Sequence, residues 1–373
     1  MNKTAKTIWI QAVSFFIGTL LVFFSNVSSA QITGGRTSFP FLLVSNSPHV
    51  SAMGSLAPAS YDRDISLMLQ NPALLNPKMH NQLSLAYNLY VADIGLINLA
   101  YGYFVPKWQT NFGLSIQSVQ YGKMIETDIY GNNLGDARAS DLSVNLSASR
   151  SYGSHWRYGV NLKLANSSLV HSSAFAVLTD VGVVYEDTNQ LFTLGIVAKN
   201  MGFTVKKYNP SGKAEPLPFD LQIGVMKGLK NIPLRMFAVA HHLYEWDVRF
   251  NDPALIETDL NGNPTEDVDA PHFADKLFRH FNFGAEFTIA KRITATLGYS
   301  HLRRSELGYN KARGMAGFSF GCTIDLKKIY IQYGRSNYGN GIAYNEFGII
   351  LPLNKVIKTA PKFSERTGWN SVY

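Results

Sequence analysis

The feature that most constrains this chain is a long run of alternating apolar and polar residues between positions 82 and 351. The run divides into segments of about ten residues that are bounded by turn residues. In 281–289, Phe283 and Phe287 alternate with polar residues such as Glu286. Because successive side chains of a strand point to opposite faces, such segments are two-faced strands. The pattern therefore predicts an all-β fold.

Fourteen segments of this kind can be placed along the chain. Most are separated alternately by short turns and by longer connections, of which 121–139, 201–217, 244–280 and 303–313 are the longest. The predicted strands are 82–91, 94–105, 109–120, 140–151, 157–166, 173–186, 190–200, 218–228, 232–243, 281–290, 292–302, 314–325, 328–335 and 343–351.

Short turns alternating with long loops are typical of a bacterial outer-membrane barrel, with the short turns in the periplasm. We therefore predict a transmembrane antiparallel β-barrel of about 14 strands, whose even strand number places both chain ends in the periplasm. Closure leaves no unpaired backbone in lipid. A secreted β-sandwich or a solenoid is the alternative, and the lack of a fixed repeat disfavours the solenoid.

The composition agrees with a wall between lipid and water. Charged residues make up only 16% of the chain, against roughly 25% in typical soluble domains. The net charge is +8, but no Lys/Arg-rich run occurs, so we predict no nucleic-acid partner. The single cysteine, Cys322, forms neither an intramolecular disulfide nor a recognisable metal motif, and we predict no cofactor.

The first thirty residues have the form of a secretory signal peptide. Lys3 and Lys6 precede an apolar core at 8–24, and the small residues 28–30 precede a cleavage position before Gln31. A retained membrane anchor is the alternative. Elsewhere no apolar run approaches the ~18 residues of a membrane helix. The prediction is export to the bacterial outer membrane.

Residues 31–80 differ from the strands that follow. Two Asn-Pro pairs, at 71–72 and 76–77, favour turns over an ordinary strand. An irregular segment of this length needs a surface to pack on, and a barrel lumen would supply one. The predicted organisation is a signal peptide at 1–30, a hatch at 31–80, a barrel at 81–352 and a periplasmic tail at 353–373.

A hydrolase-like string, Gly-x-Ser-x-Gly, occurs at 317–321. A nucleophile elbow requires this string on a sharp strand-to-helix turn. Here it lies within a predicted strand, with Phe318 and Phe320 on one face and Ser319 on the other. We therefore predict a wall strand, no catalytic residue and no enzymatic activity.

Two candidate metal motifs are also weak. His241 and His242 lie in a predicted strand, where adjacent side chains face opposite sides and cannot easily share an ion. The string beginning at Asp259 resembles a calcium loop, but Pro264 and Ala270 occupy positions that need glycine and glutamate. We predict no metal site, while a looser ion site in this loop is left open.

Charges in the long connections suggest contacts outside the membrane. The loop 251–269 contains acidic residues and no Lys or Arg, so it is either a solvated surface or a docking surface for a basic partner. Arg303 and Arg304 begin another long loop, where they would be exposed or would neutralise anionic headgroups of outer-membrane lipid or lipopolysaccharide.

Several short stretches, spread over nearly the whole mature chain, together resemble one family. The chain is similar to the PorQ family of the type IX secretion system, which is related to the PorV family and to FadL-type fatty-acid transporters. The stretches are 39–43, 53–54, 71–75, 199–202, 207–208, 217–219, 232–235, 242–247, 297–299, 303–304 and 316–319.

The resemblance implies a fourteen-stranded barrel with its N-terminal segment folded inside as a hatch. It also implies a non-enzymatic role in the complex that attaches secreted cargo, with a PorZ-like surface partner and PorU-like or PorV-like neighbours. FadL-type uptake of hydrophobic molecules such as long-chain fatty acids is the alternative, and the hatch disfavours an open porin. The candidate hatch motif comprises Asn71, Pro72, Ala73, Leu74 and Leu75.

Overall fold

The fold comes from a computed structural model. It describes residues 37–90, 94–187, 189, 191–248, 273–306, 314–339 and 342–356. The predicted signal peptide, the acidic loop 251–269 with its calcium-like string, and the tail beyond residue 356 lie outside the described residues.

The described residues form sixteen strands, of which fourteen make the barrel and two make a separate hairpin. The strands are β1 (Gln82–Leu89), β2 (Gly95–Val105), β3 (Thr110–Gln120), β4 (Met124–Thr127), β5 (Asn133–Ala137), β6 (Ser140–Tyr152), β7 (Trp156–Leu169), β8 (Ser172–Glu186), β9 (Phe192–Lys206), β10 (Asp220–Leu229), β11 (Ile232–Ala240), β12 (Phe281–Ile289), β13 (Ile293–Ser300), β14 (Phe318–Asp325), β15 (Tyr330–Gly339) and β16 (Ile342–Pro352).

The barrel is closed and antiparallel, as predicted. Each barrel strand pairs with the next one along the chain, and β3 pairs with β6 because the β4–β5 hairpin is inserted between them. Closure is made by β1 and β16, whose register runs from Gln82 opposite Pro352 to Leu89 opposite Asn345. Closure removes the two outer edges of the sheet, so most backbone groups of the wall are paired within the protein.

The two faces of the strands differ as the alternation predicts. In β12, Phe283 and Phe287 are 36% and 44% exposed, whereas Asn282 and Glu286 are 1% and 0% exposed. The apolar side chains therefore form the lipid-facing surface, and the polar side chains point into the lumen. This arrangement is that of a transmembrane barrel.

The connections follow most of the predicted alternation, except that only two residues join β7 to β8, where a longer connection was predicted. Connections at the end where β2 meets β3 are short, and we call this the short-turn end; the opposite end is the long-loop end. Several predicted boundaries were wrong. β11 ends at Ala240 rather than at 243, and β14 begins at Phe318 rather than at 314. β9 continues to Lys206 because it pairs with β8 across register shifts, and the predicted loop 121–139 contains the β4–β5 hairpin.

The helices are short. The N-terminal segment contains 3-10 turns at Pro40–Leu43, Ile65–Leu69, Pro72–Leu74 and Pro77–Met79. No helix of the described chain has the length and apolar character needed to cross a membrane. The α-helices are α1 (Pro48–Ala52), α2 (Phe273–Phe278), α3 (His301–Glu306) and α4 (Leu353–Val356).

Residues 37–80, which we call the plug, lie inside the barrel. Helix α1 contacts β13 to β16, the turn at Pro72–Leu74 contacts β6 to β8, and the turn at Ile65–Leu69 contacts β1 to β3. Contacts on opposite sides of one closed wall are possible only from within it. The plug thus fills the place that the predicted hatch was expected to fill.

The plug supplies much of the apolar core, 16 of the 36 buried apolar residues of the described chain. Leu67, Met68 and Leu74 are at most 1% exposed, although they belong to irregular chain. Each such side chain contributes roughly 1.5–3 kcal/mol by leaving water. The lumen-facing strand residues are mainly polar. The apolar side chains of the plug therefore pack together inside a barrel whose inner wall is polar.

Candidate functional site

The candidate hatch motif lies where the plug meets β6 to β9. Asn71 is fully buried; its side-chain oxygen accepts from the Ala73 backbone N–H at 3.0 Å. Its amide nitrogen donates to the carbonyl of Pro58 at 2.9 Å. Ser149 of β6 donates to the carbonyl of Leu75 at 2.7 Å. The motif therefore fixes both the internal turn of the plug and its position on the wall.

Lumen-facing glycines let the plug backbone approach the wall closely. A Cβ on Gly195 of β9 would lie 2.0 Å from the carbonyl oxygen of Pro58, and one on Gly182 of β8 would lie 2.0 Å from Asn71 Oδ1. Both positions have room only for a hydrogen. Glycine in a strand often marks such a close backbone approach, so these residues are a sequence signal that could have located the interface.

A buried charged cluster ties the plug to β11 and β12. His49 Nε2 of α1 lies 2.5 Å from Glu286 Oε1, and Arg235 lies 2.7 Å from the other carboxylate oxygen of Glu286. Although burial lowers it, the carboxylate of Glu286 raises the pKa of His49 to about 9. The ring is therefore protonated at neutral pH and makes a charge-assisted contact.

Neither Glu286 nor Arg235 was predicted as a site residue. Glu286 stands alone among apolar and aromatic neighbours in a predicted membrane strand. A carboxylate at such a position must face the lumen and find a partner. That signal was available, but the partner His49 is 237 positions away and could not be named.

A second buried ion pair lies near the short-turn end. Arg157 and Glu186 are joined at 3.1 Å and are 3% and 2% exposed. Arg157 also donates to the carbonyl of Ala73 at 3.4 Å, and its guanidinium lies 6.0 Å from the ring centre of Tyr61. This cluster holds the part of the plug that lies nearest the short-turn end.

Further hydrogen bonds distribute the attachment around the barrel. Asn98 of β2 donates to the carbonyl of Asn46 at 2.7 Å. On the opposite side, Asn282 of β12 donates to the carbonyl of Gly54 at 3.0 Å, and Ser336 of β15 donates to that of Ser51 at 2.9 Å. The plug is therefore held from several directions.

A pocket remains at the long-loop end, above the plug. It has a volume of about 140 Å³. Its apolar lining comes from Leu42, Val44 and Leu56 of the plug and from Leu302 of α3, while polar residues of β9 to β13 complete it. The pocket is thus partly apolar and large enough for a small molecule.

The wall beside this pocket is incompletely paired. β10 begins with Asp220, opposite Lys199 of β9, and the pairing of these two strands extends from there toward the short-turn end. The last residues of β9, up to Lys206, pair with β8 only. Asn200, at the bend, has a left-handed φ of 58°. The β9–β10 seam is therefore open at the long-loop end.

The pocket also contains the histidine pair, which does not lie as predicted. β11 ends at Ala240, and His242 has a left-handed φ of 53°. This turn brings both rings to the same side, with their Nδ1 atoms 2.5 Å apart. The strand argument for opposite faces was therefore wrong, because it assumed that the strand continued.

Asp220 completes a small cluster with these histidines. It accepts from the backbone N–H of His242 at 2.7 Å and from the amide of Gln222 at 2.6 Å. One ligand atom from each of Asp220, His241 and His242 lies within 4.8 Å of the others. Burial and the neighbouring His242 lower the pKa of His241 to about 3, so its ring is neutral at pH 7.

The Gly-x-Ser-x-Gly string lies where the sequence placed it, in a wall strand. Ser319 is 1% exposed and its hydroxyl lies 2.9 Å from that of Ser336 on the adjacent β15. Gly317 precedes the strand, with a φ of 83°. The serine is in extended chain and not at a strand-to-helix turn, so the elbow geometry is not formed.

The β4–β5 hairpin is an exposed apolar projection at the long-loop end. Ile129 and Tyr130 at its turn are 91% and 84% exposed, and Ile125 and Leu134 are 63% and 60% exposed. Glu126 lies 2.8 Å from His171 in the β7–β8 turn. Exposed apolar patches of this kind often mark an interaction surface.

Fold and site together define a class: a transmembrane β-barrel of fourteen strands with an N-terminal plug in its lumen. Solved structures of similar shape include the toluene transporter TodX of P. putida, with 14% identity over 83% of this chain and 97% of that one, at a TM-score of 0.49. A FadL homologue of Pseudomonas aeruginosa is 11% identical over 82% and 98%, at a TM-score of 0.45.

The KdgM porin is more distant, with 7% identity over 72% of this chain and 98% of that one and a TM-score of 0.33. No protein-family model matches the chain. No curated protein matches it either.

Proposed function

We propose that this protein is a non-enzymatic barrel of the bacterial outer membrane with a sealed lumen, and that it anchors a partner bound at its long-loop end. The observation that supports this function is the attachment of the plug. Buried ion pairs hold it at Glu286 and at Glu186, and its turns contact both halves of the wall. A plug held in this way favours a static role over an open pore.

The partner would dock on the β4–β5 hairpin. Ile129 and Tyr130 offer apolar contact area, and aromatic anchors of this kind contribute strongly to protein interfaces. On the basis of the family resemblance, the partner is a PorZ-like component of the type IX attachment complex. Outer-membrane lipid or lipopolysaccharide would surround the wall.

The test is affinity purification of the tagged protein from solubilised outer membranes of its own bacterium. We expect a PorZ-like protein to co-purify with the wild type and to be lost when Ile129→Asp and Tyr130→Ser are combined. Trp108→Ser, in the β2–β3 turn at the opposite end, is the control and should retain the partner. Wild-type preparations that contain no secretion component would refute the anchoring role.

The sealed lumen has its own test, single-channel recording in planar bilayers. We expect the wild-type protein to show no sustained conductance, because residues 37–80 occupy the lumen. A stable open conductance would contradict this proposal and support a porin.

A second candidate function is uptake of small hydrophobic molecules, which the pocket and the open β9–β10 seam favour. An engineered apolar cavity of about 150 Å³ binds benzene, so a pocket of about 140 Å³ suits a monoaromatic molecule better than a long-chain fatty acid. Such a molecule would enter at the long-loop end and leave sideways through the seam into the membrane. The TodX barrel is named a toluene transporter, which is a statement about that protein.

Uptake is tested by ¹⁹F NMR of fluorobenzene with the protein in detergent micelles. We expect line broadening with the wild type and its loss in Leu302→Trp, which would fill the pocket. Leu326→Trp, in the β14–β15 turn at the opposite end, is the matched control. Equal broadening by all three proteins would show partition into detergent and would remove this candidate.

A further inference from the structure

The cluster of Asp220, His241 and His242 has a geometry that neither the anchoring nor the uptake role uses. The three side chains come from two strand ends that are adjacent in the wall, at the start of β10 and just after β11. Asp220 and His241 are each 3% exposed. Two imidazoles and a carboxylate converging at a buried point are costly to bury unless something binds them.

We propose that Asp220, His241 and His242 form a binding site for a Zn²⁺-type transition-metal ion. Two histidines and one carboxylate are a ligand set that zinc takes in sites with an open fourth position. Their ligand atoms already lie within 4.8 Å of one another. The fourth position would face the pocket of about 140 Å³ that these three residues help to line.

The distances require only a small adjustment. Zn–N bonds are about 2.0–2.1 Å long, which places two ligand nitrogens of a tetrahedral site roughly 3.4 Å apart. The two Nδ1 atoms are now 2.5 Å apart, so the rings would separate by about 1 Å. Both histidines line the pocket, so there is open space beside the two rings.

Surrounding contacts hold the ligands in place. The backbone N–H of His241 donates to the carbonyl of His280 at 2.9 Å, and His280 Nδ1 lies 2.9 Å from the carbonyl of His241. Gln222 orients the carboxylate of Asp220. Hydrogen bonds of this type, made to the ligand residues themselves, fix ligand orientation in metal sites.

One ring atom remains unsatisfied in the described structure. His241 Nε2 is buried and has no hydrogen-bond partner among the described residues. A buried polar atom without a partner is uncommon and calls for an explanation such as an ion or an ordered water. Nε2 lies on the other side of the ring from Nδ1, so an ion held at Nδ1 would not satisfy it, and an ordered water is its expected partner.

Two nearby cationic side chains favour a negatively charged fourth ligand. Lys199 and Arg303 line the same pocket, and Lys199 lies opposite Asp220 in the β9–β10 register. The positive charges of these two side chains disfavour binding of a divalent cation that carries no anionic ligand of its own. We therefore expect an anion or hydroxide at the open position, where it would lie between the ion and these two side chains.

The test is metal titration of the full mature protein in detergent micelles after removal of bound metal with EDTA. We expect one Zn²⁺ per chain by isothermal titration calorimetry. Co²⁺ should give visible absorption bands typical of four-coordinate cobalt. Asp220→Asn and His242→Asn should each weaken binding by at least the ~10–100-fold that loss of an outer-shell partner costs.

These variants are chosen to preserve the fold. Asparagine at 220 still accepts from the backbone of His242, and asparagine tolerates the left-handed conformation at 242. Heat-dependent migration in SDS gels checks that each barrel is intact. His171→Asn is the control, because its side chain is 76% exposed at the same end of the barrel, and it should bind like the wild type.

Three results would overturn the proposal. They are the absence of stoichiometric Zn²⁺ binding by the wild type, unchanged affinity in intact Asp220→Asn and His242→Asn barrels, and loss of binding in His171→Asn. The second and third would place the ion at surface histidines instead.

Discussion

At the residue scale, the plug depends on a few buried polar contacts between sequence-distant positions. Glu286 has an aromatic-rich strand around it and yet is fully buried, because its carboxylate lies between His49 and Arg235. Removing one partner of a buried ion pair costs much more than the pair contributes over an apolar replacement. This cluster is therefore the most sensitive point of the plug.

The first prediction concerns Glu286→Gln. The substitution removes the carboxylate that pairs with the buried His49 and with Arg235, whose side chain is 31% exposed. We therefore expect a loss of about 3 kcal/mol in stability, the lower end of the cost for a buried pair. Urea unfolding in lipid vesicles, followed by tryptophan fluorescence, measures it. Glu215→Gln removes an exposed carboxylate and should change stability by less than ~0.5 kcal/mol. Equal effects of both variants would show that the cluster is not important.

The second prediction concerns pH. The pKa of His49 is raised from 6.5 to about 9 in the folded protein by Glu286, against the opposing effect of burial, with Asp62 and Asp64 adding smaller contributions. Its contribution to stability is therefore fully present below pH 6.5 and is lost as pH rises through about 9.

Other groups also titrate in this range, so the measurement is a difference. The stability of the wild type minus that of His49→Gln should fall between pH 7 and pH 10 in urea unfolding. A difference that stays constant over this interval would mean that His49 is not protonated in the folded protein.

At the element scale, the barrel accommodates the irregular plug because its strands have glycine at the positions that the plug backbone contacts. β9 presents Gly195 to the carbonyl of Pro58, and β8 presents Gly182 to Asn71. The strands supply the wall, and their glycines supply the shape of the cavity that the plug fills.

The third prediction concerns Gly195→Ala. The added methyl group would lie 2.0 Å from a plug carbonyl oxygen, and backbone cannot move aside as a flexible side chain can. We expect a destabilisation of about 1–3 kcal/mol, as for overpacking in a core, and greater protease sensitivity of residues 37–80 in intact barrels.

The control is Gly212→Ala, since a Cβ there meets only Asn209 at 3.4–3.5 Å. It should leave both stability and proteolysis unchanged. Wild-type behaviour of Gly195→Ala would mean that the plug does not sit against β9 in the membrane.

At the scale of the whole molecule, the barrel separates two environments. Its outer face carries exposed aliphatic and aromatic side chains, and its inner face carries polar residues that bond to the plug. The plug fits this inner face because it pairs with many of the inward polar groups that would otherwise need water.

The fourth prediction tests the lipid-facing surface. Leu162 is 45% exposed and lies midway along β7. Leu162→Arg should therefore destabilise the barrel by about 2–4 kcal/mol, the cost of arginine near the bilayer midplane. Reversible unfolding from lipid vesicles measures this cost.

Leu326→Arg, in a turn outside the strands, is the control and should cost less than ~1 kcal/mol. Similar costs at both positions would contradict a membrane-spanning orientation of β7.

The sequence by itself determined the wall. Alternation in segments such as 281–289 established strand positions and faces, and the spacing of turns established the strand number, because a period of two is a local property of the chain. The prediction failed where a strand ends before its apolar pattern does, as β11 does at Ala240. The left-handed backbone of His242 that follows leaves no trace in the apolar pattern.

Only the tertiary structure decided what the lumen contains. Asn71 reaches Pro58 and β9, His49 reaches Glu286, and Asp220 meets His241 and His242. These contacts join residues that are far apart in the chain or that a backbone turn reorients. Their partners follow from closure of the barrel around the plug, which no local pattern encodes.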